Sequence, residues 1–528
     1  MDDRAKKKLM LLVIEGFGVS PSFRGNAVFS ANPENIFSLW RNSPHSIISC
    51  QSSNDKETYP SDNTFLARLF SGTEVSSEHD FIDEQIKNQK FFFNEVFNES
   101  FDRAIKQNSA LHLVGSLTDH GGKYGDSNHL ISLVKLAKSR RIYKVYIHLL
   151  LDESLSSDEK EILAELDKLN RSLGEIGMGE IATITGRKLI DDKNMNPLDF
   201  IRAFRNIIMG RGKAALSAEQ AITHLSNHNS FEDFSPMAIT FHGKAIGRIN
   251  NFDCVLFYNF DNLNISKFIL SLVQSSAPFR GCEVPKFLDV VTMLGLSEIE
   301  NKNIKVAFRR RINDGISEYL QNNGLSQYVI SDSSRIGAIR DIYLEPHHRN
   351  SGLIKTAIIP ASLSLSEYFS NYEQTLDALA HELSAQSGES APDFILMMLP
   401  SIARAARHGA VKDIIGQIKL IDSYIPKLLS LAKSQSYDVM VASSHGLSAN
   451  LSQAGALRQN LAPFFFAGSQ KEVLAVQTQR DFHSSLMYDI LKKKNDLIDI
   501  APSLLEWFNI LKPESMKGKS FLKELISK

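Results

Sequence analysis

Short apolar runs separated by helical patterns recur from one end of this chain to the other, and that alternation limits the fold more than any other feature. Runs at residues 9–14, 111–114, 144–150, 180–184, 254–258, 393–398 and 438–442 have the length and continuity of strands buried on both faces. Stretches 34–40, 130–137, 159–173 and 411–431 place apolar residues at helical spacing. The pattern implies an α/β fold with largely parallel sheets. At 528 residues the chain is too long for one hydrophobic core, so two or more domains are expected. Two breaks suggest where they divide. The charged, Phe-rich stretch 84–107 reads as a linker helix leading into a new domain. Polar residues and the basic run 309–311 then interrupt the pattern at 301–314.

Charge and cysteine usage exclude several function classes. A net charge of −1 gives no field favouring nucleic acid or an anionic membrane surface. No stretch reaches the roughly 20 apolar residues of a membrane span. The run at 9–14 is too short for a signal segment and is interrupted by Glu15. Cys50, Cys254 and Cys282 lie far apart without metal-ligand spacing, as expected in a reducing, cytoplasmic setting. The segment MGRGKAA (209–215) lacks the spacing of a phosphate-binding loop.

Particular segments say more. LLVIEGFG (11–18) and GNAVFSANPENIFSLW (25–40) open the chain. LHLVGSLTDHGG (111–122), KVYIHLLLD (144–152), IATITGR (181–187) and VLFYNF (255–260) follow, and APSLLEWFNILKPESMKGKSF (501–521) lies near its end. Together they resemble the cofactor-independent phosphoglycerate mutases of the alkaline phosphatase superfamily. The resemblance spans almost the whole chain and is weakest between residues 270 and 390. It implies an alkaline-phosphatase-like domain built from residues 1–80 and 311–528, an inserted transferase-like domain at 81–310, and a monomer. The family interconverts 2- and 3-phosphoglycerate in glycolysis through a phosphoserine. Two divalent metals, usually manganese, activate the nucleophile and stabilise the attacking and leaving oxygens.

Against that pattern the chemical residues are mostly replaced. The family's LDGWG has its metal-binding Asp at Glu15 here, and the nucleophile motif GNSEVGH aligns with DNTFLAR (62–68), which puts Thr64 at the serine. The Asp and His of NxxDMVGHTG fall at Ala403 and Arg407, and the His of HTxNPVP falls at Leu457. In TADHGN the Asp becomes Ser444 while the His survives as His445. The arginine-bearing motifs LDGRDTPP and NFRADRAR carry Ser154, Asp261 and Asn264 at the arginine positions; the lysine of ETEKYAH is assigned to Ser334. A pocket His maps near Tyr124 or Gly125. Arg187 remains, and Lys193 keeps a charge where the family has another Arg.

The resemblance, read with these losses, implies a catalytically degenerate mutase-family protein kept for a binding, regulatory or structural role. No metal cofactor is expected, and the partner would be an unidentified protein or small molecule. The alternative is an active divergent phosphoglycerate mutase, or a metal-dependent phosphatase, using Thr64. A buried Glu15 without a metal needs a cation. Arg407 is expected to supply it, or else to point into solvent beside a hydrated Glu15.

Overall fold

The computed structural model describes residues 7–51, 62–118, 124–151, 159–190, 196–223, 235–260, 265–274, 280–295, 301–309, 315–344, 352–362, 365–388, 390–408, 411–449, 460–468 and 482–526. The chain divides into two compact units: Met1–Ser76 with Arg311–Lys528, and Ser77–Arg310. Among the described residues, no helix is long and apolar enough to cross a membrane.

The first unit is built on an eight-stranded sheet. In spatial order its strands are Ile354–Ile359, Gln327–Asp332, Phe394–Met398, Lys8–Val13, Tyr437–Ala442, Leu461–Ala467, His45–Ser49 and Asn495–Asp496. The first five run parallel, and Leu461–Ala467 is antiparallel to both neighbours. Alternate side chains of Lys8–Val13 serve two cores. Met10 and Leu12 join Ile418, Ile421 and Ile425 of the helix Val411–Ser434. Leu9, Leu11 and Val13 join Phe65, Leu66 and Leu69 of the helix Asp62–Ser71, with Leu504. Both faces are covered, which is why the strand reads as an unbroken apolar run.

The second unit holds a nine-stranded sheet. Its main order is Ile304–Phe308, Asp289–Leu294, Cys254–Phe257, Leu111–Ser116, Val145–Leu151, Glu180–Gly186, Met237–Phe241 and Lys213–Ala215, while Lys244–Ala245 pairs with Met237–Phe241. The stretch expected as a linker helix is two helices, Glu78–Lys87 and Glu95–Gln107. Gln89 adopts a left-handed φ of 64°, and the Asn94 side chain caps the second helix by accepting from the Phe97 amide. Phe91, Phe97 and Phe101 are buried in the core with Phe308. The segment is therefore part of the domain's interior. The expected break at 301–314 likewise contains the edge strand Ile304–Phe308.

The loops leaving Lys8–Val13 and Tyr437–Ala442 meet with almost no clearance. A Cβ on Gly18 would lie 2.3 Å from the Gly446 carbonyl oxygen. Gly18→Ala should therefore destabilise the first unit by about 1–3 kcal/mol through overpacking. A shift in the urea midpoint measures this, and an unchanged midpoint refutes the close approach.

Candidate functional site

In an open parallel sheet, loops at the carboxyl ends of the strands form the usual binding crevice. In the first unit Glu15, Ser401, Ser444 and His445 occupy such loops, after Lys8–Val13, Phe394–Met398 and Tyr437–Ala442, and Ala403 lies in the first turn of the helix Ile402–His408 that follows Ser401. Glu15 is fully buried. Its Oε1 accepts from the Ser401 hydroxyl at 3.0 Å and lies 2.6 Å from Nη2 of Arg335, itself only 3% exposed. Glu15 thus has a cation, and Arg335 supplies it. The Arg407 side chain, expected in that role, lies outside the described residues.

Arg335 follows the strand Gln327–Asp332. Asp332 caps the short turn Ser333–Arg335 by accepting from the Ser334 amide at 2.7 Å. The cation beside Glu15 thus lies one residue past Ser334, the position assigned to the family's lysine. Tyr368 completes the wall. Its hydroxyl accepts from the Ser401 amide at 3.0 Å, and Arg404 covers its ring at 4.3 Å. Burial, with the Asp332 carboxylate adding, pushes the Tyr368 phenol well above its usual range, so it stays protonated.

Thr64 is buried in the helix Asp62–Ser71. Phe65, the next residue, packs its ring 4.8 Å from the His445 imidazole, whose Nδ1 accepts from the Leu447 amide at 3.4 Å. Buried Arg68 pins the same helix. It donates to the Cys50 carbonyl at 2.6 Å and to Asp496 at 3.1 Å. Burial pushes the Asp496 carboxyl up to about 6, against the opposing pull of Arg68. The Ser444 hydroxyl is buried without a hydrogen-bond partner among the described residues. Ala403 offers no donor atom and packs against Gly16, where a Cβ would lie 2.7 Å from the Ala403 amide nitrogen. Leu457 lies outside the described residues.

Arg187, expected at the substrate pocket, lies in the second unit. Arg187, buried just after Glu180–Gly186, stacks on Tyr124 with 3.5 Å from guanidinium carbon to ring centroid. Ser116 and Asn259 are buried and tied together: Asn259 Oδ1 accepts from the Ser116 amide at 2.8 Å. Lys193, Ser154, Asp261 and Asn264 lie outside the described residues.

Comparison with known proteins agrees with this scaffold. Residues 82–298 match the family described as BPG-independent PGAM N-terminus. The 2,3-bisphosphoglycerate-independent phosphoglycerate mutase of Clostridium acetobutylicum is 26% identical over 98% of this chain and 99% of its own length. The corresponding protein of Clostridioides difficile is 25% identical over 98% and 99%. A crystal structure of Leishmania mexicana phosphoglycerate mutase superposes with a TM-score of 0.69 at 17% identity, covering 98% of each chain. By these matches the chain is similar from end to end to the cofactor-independent phosphoglycerate mutases, and its fold is that of the Leishmania mexicana enzyme.

Proposed function

We propose that this protein is a catalytically degenerate member of its family, with the phosphatase-like unit and the inserted unit retained as a scaffold for binding, regulation or structure. The observation that carries this reading is the guanidinium of Arg335 on Glu15. Glu15 is the one carboxylate among the described ligand positions, and a buried cation already neutralises it. The other described positions offer a methyl group at Ala403, a neutral hydroxyl at Ser444 and one imidazole at His445. Paired divalent cations need several converging carboxylates and imidazoles, so this donor set does not fit them. Without that charge, neither activation of the Thr64 hydroxyl nor stabilisation of a transferring phosphoryl group has a source among these side chains. The three cysteines are all unbridged and buried, which supports a reducing, cytoplasmic setting.

The test is turnover of 3-phosphoglycerate, and hydrolysis of a generic phosphate ester, with manganese added. Neither should be detectable, and Thr64→Ala should change nothing. Turnover that Thr64→Ala abolishes would overturn the proposal in favour of an active enzyme using that hydroxyl.

A further inference from the structure

The second unit holds a cluster of histidines and carboxylates that the family's chemistry does not use. His79 lies in the first turn of Glu78–Lys87, which also carries Asp80 and Asp83. Asp126 caps Ser127–Ser139, and His129 lies in that helix's first turn. One ligand atom each from His79, Asp126 and His129 lie within 4.8 Å of one another. His79 Nε2 is 2.8 Å from Asp126 Oδ2, and the two imidazole centroids are 5.3 Å apart. Phe260 packs edge-on against both rings.

We propose that His79, Asp126 and His129 form a binding site for one divalent transition-metal ion, preferentially zinc, which fastens the start of the second unit to its helix Ser127–Ser139.

Three features support it. The first is the state of His129, which is fully buried. Asp83 Oδ1 lies 2.9 Å from its Nε2, while its Nδ1 is buried without a hydrogen-bond partner among the described residues. A carboxylate holding one ring nitrogen fixes the tautomer and leaves a lone pair on the other, the arrangement that metal-binding imidazoles require. The second is charge. Three carboxylates, Asp80, Asp83 and Asp126, surround two imidazoles, so with neutral rings the cluster is strongly negative. That excess outweighs the positive ends of the two helices, each equivalent to roughly half a unit charge. The third is size and ligand type. A tetrahedral ion with bonds of about 2.0–2.1 Å holds its ligand atoms roughly 3.3 Å apart. The contact between His79 and Asp126 need open only slightly, while the wider pairs close by side-chain rotation. Two imidazoles and carboxylate oxygen suit zinc or cobalt better than magnesium or calcium.

The test uses the full chain, stripped of metal and titrated with zinc against a chromophoric chelator, and with cobalt as a spectroscopic probe. One zinc per chain, visible tetrahedral cobalt bands and a zinc-dependent rise in melting temperature are expected. His129→Gln and Asp126→Asn should each weaken zinc at least about 100-fold, and Asp83→Asn about 10–100-fold. Asp83 is half-exposed, so its variant separates lost metal binding from failure to fold, with circular dichroism of the metal-free proteins as the check. Glu15→Gln should leave the zinc stoichiometry unchanged, which assigns the ion to this cluster. No zinc binding, or zinc binding insensitive to the Asp126 and Asp83 variants, overturns the proposal. So does binding abolished by Glu15→Gln.

Discussion

Arg335→Met is expected to lower the stability of the first unit by about 3–5 kcal/mol, the usual cost of leaving one member of a buried ion pair without its partner. Both members are almost fully excluded from water, and the guanidinium lies 2.6 Å from Glu15 Oε1. Ser401 remains as a donor to that oxygen, but a neutral hydroxyl cannot balance a buried carboxylate. Glu15→Gln combined with Arg335→Met should recover much of the loss, because the pair's net contribution is far smaller than the penalty of breaking it. Ser334→Ala, one residue away, should be nearly silent, since the Ser334 hydroxyl has no hydrogen-bond partner among the described residues. Tryptophan fluorescence reads these changes cleanly: the chain has two tryptophans, Trp40 and Trp507, and both belong to the first unit. An Arg335→Met protein with the parental urea midpoint would remove the pairing and the main support for the degenerate reading.

The sequence shows the central strands because burial on both faces makes them continuous apolar runs; Leu9, Met10, Leu11, Leu12 and Val13 are all fully buried. Edge elements are less legible. Ile304–Phe308 lies at a sheet margin, its residues from Lys305 to Ala307 half-exposed and Lys305 paired with Asp289 at 3.2 Å, so polar and basic residues disguise it as a break. The Phe-rich segment misleads in the opposite way. Its charges suggest a linker, yet the Asn94 cap and the spacing of Phe97 and Phe101 mark a helix with a buried face. At the site, the positions of Glu15, Ala403, Ser444 and His445 follow from motifs at strand ends. Arg335 does not, because it lies where the resemblance is weakest and its pairing with Glu15 joins residues far apart in the chain. The cluster of His79 and His129 is not visible as a motif, since fifty residues, including the helix Glu95–Gln107 and the strand Leu111–Ser116, separate its members in the chain.

The second unit should lose stability on the acid side through His148. A buried chain of hydrogen bonds crosses three neighbouring strands of its sheet and reaches Asp253 beside a fourth. Asp253 Oδ2 lies 3.2 Å from His112 Nε2, His112 Nδ1 lies 3.0 Å from His148 Nε2, and His148 Nδ1 lies 2.8 Å from the Thr183 hydroxyl. One proton per bond satisfies the row when both imidazoles are neutral. Each ring then donates from Nε2, and Thr183 donates to His148 Nδ1. A second proton on His148 would turn the Thr183 hydroxyl from donor to acceptor and leave a net charge in a fully buried row. Burial, with His112 adding, holds the His148 imidazole well below its usual range. The folded form therefore resists a proton that the unfolded chain accepts at about pH 6.5. The contribution is complete above that pH and is lost as pH falls towards the folded value, at up to about 1.4 kcal/mol per pH unit. His79 acts in the opposite sense. Its hydrogen bond to Asp126 raises its pKa, so its contribution is lost only as pH rises above about 6.5. The depressed carboxyls of Asp83 and Asp126 lose theirs only as pH falls below about 4. Between these limits His148 sets the slope. Urea transitions followed by circular dichroism from pH 7 to 4.5, with the first unit identified by fluorescence, should show the second unit weakening. His148→Gln should flatten the profile. A slope that survives His148→Gln would mean that another buried group takes up the proton.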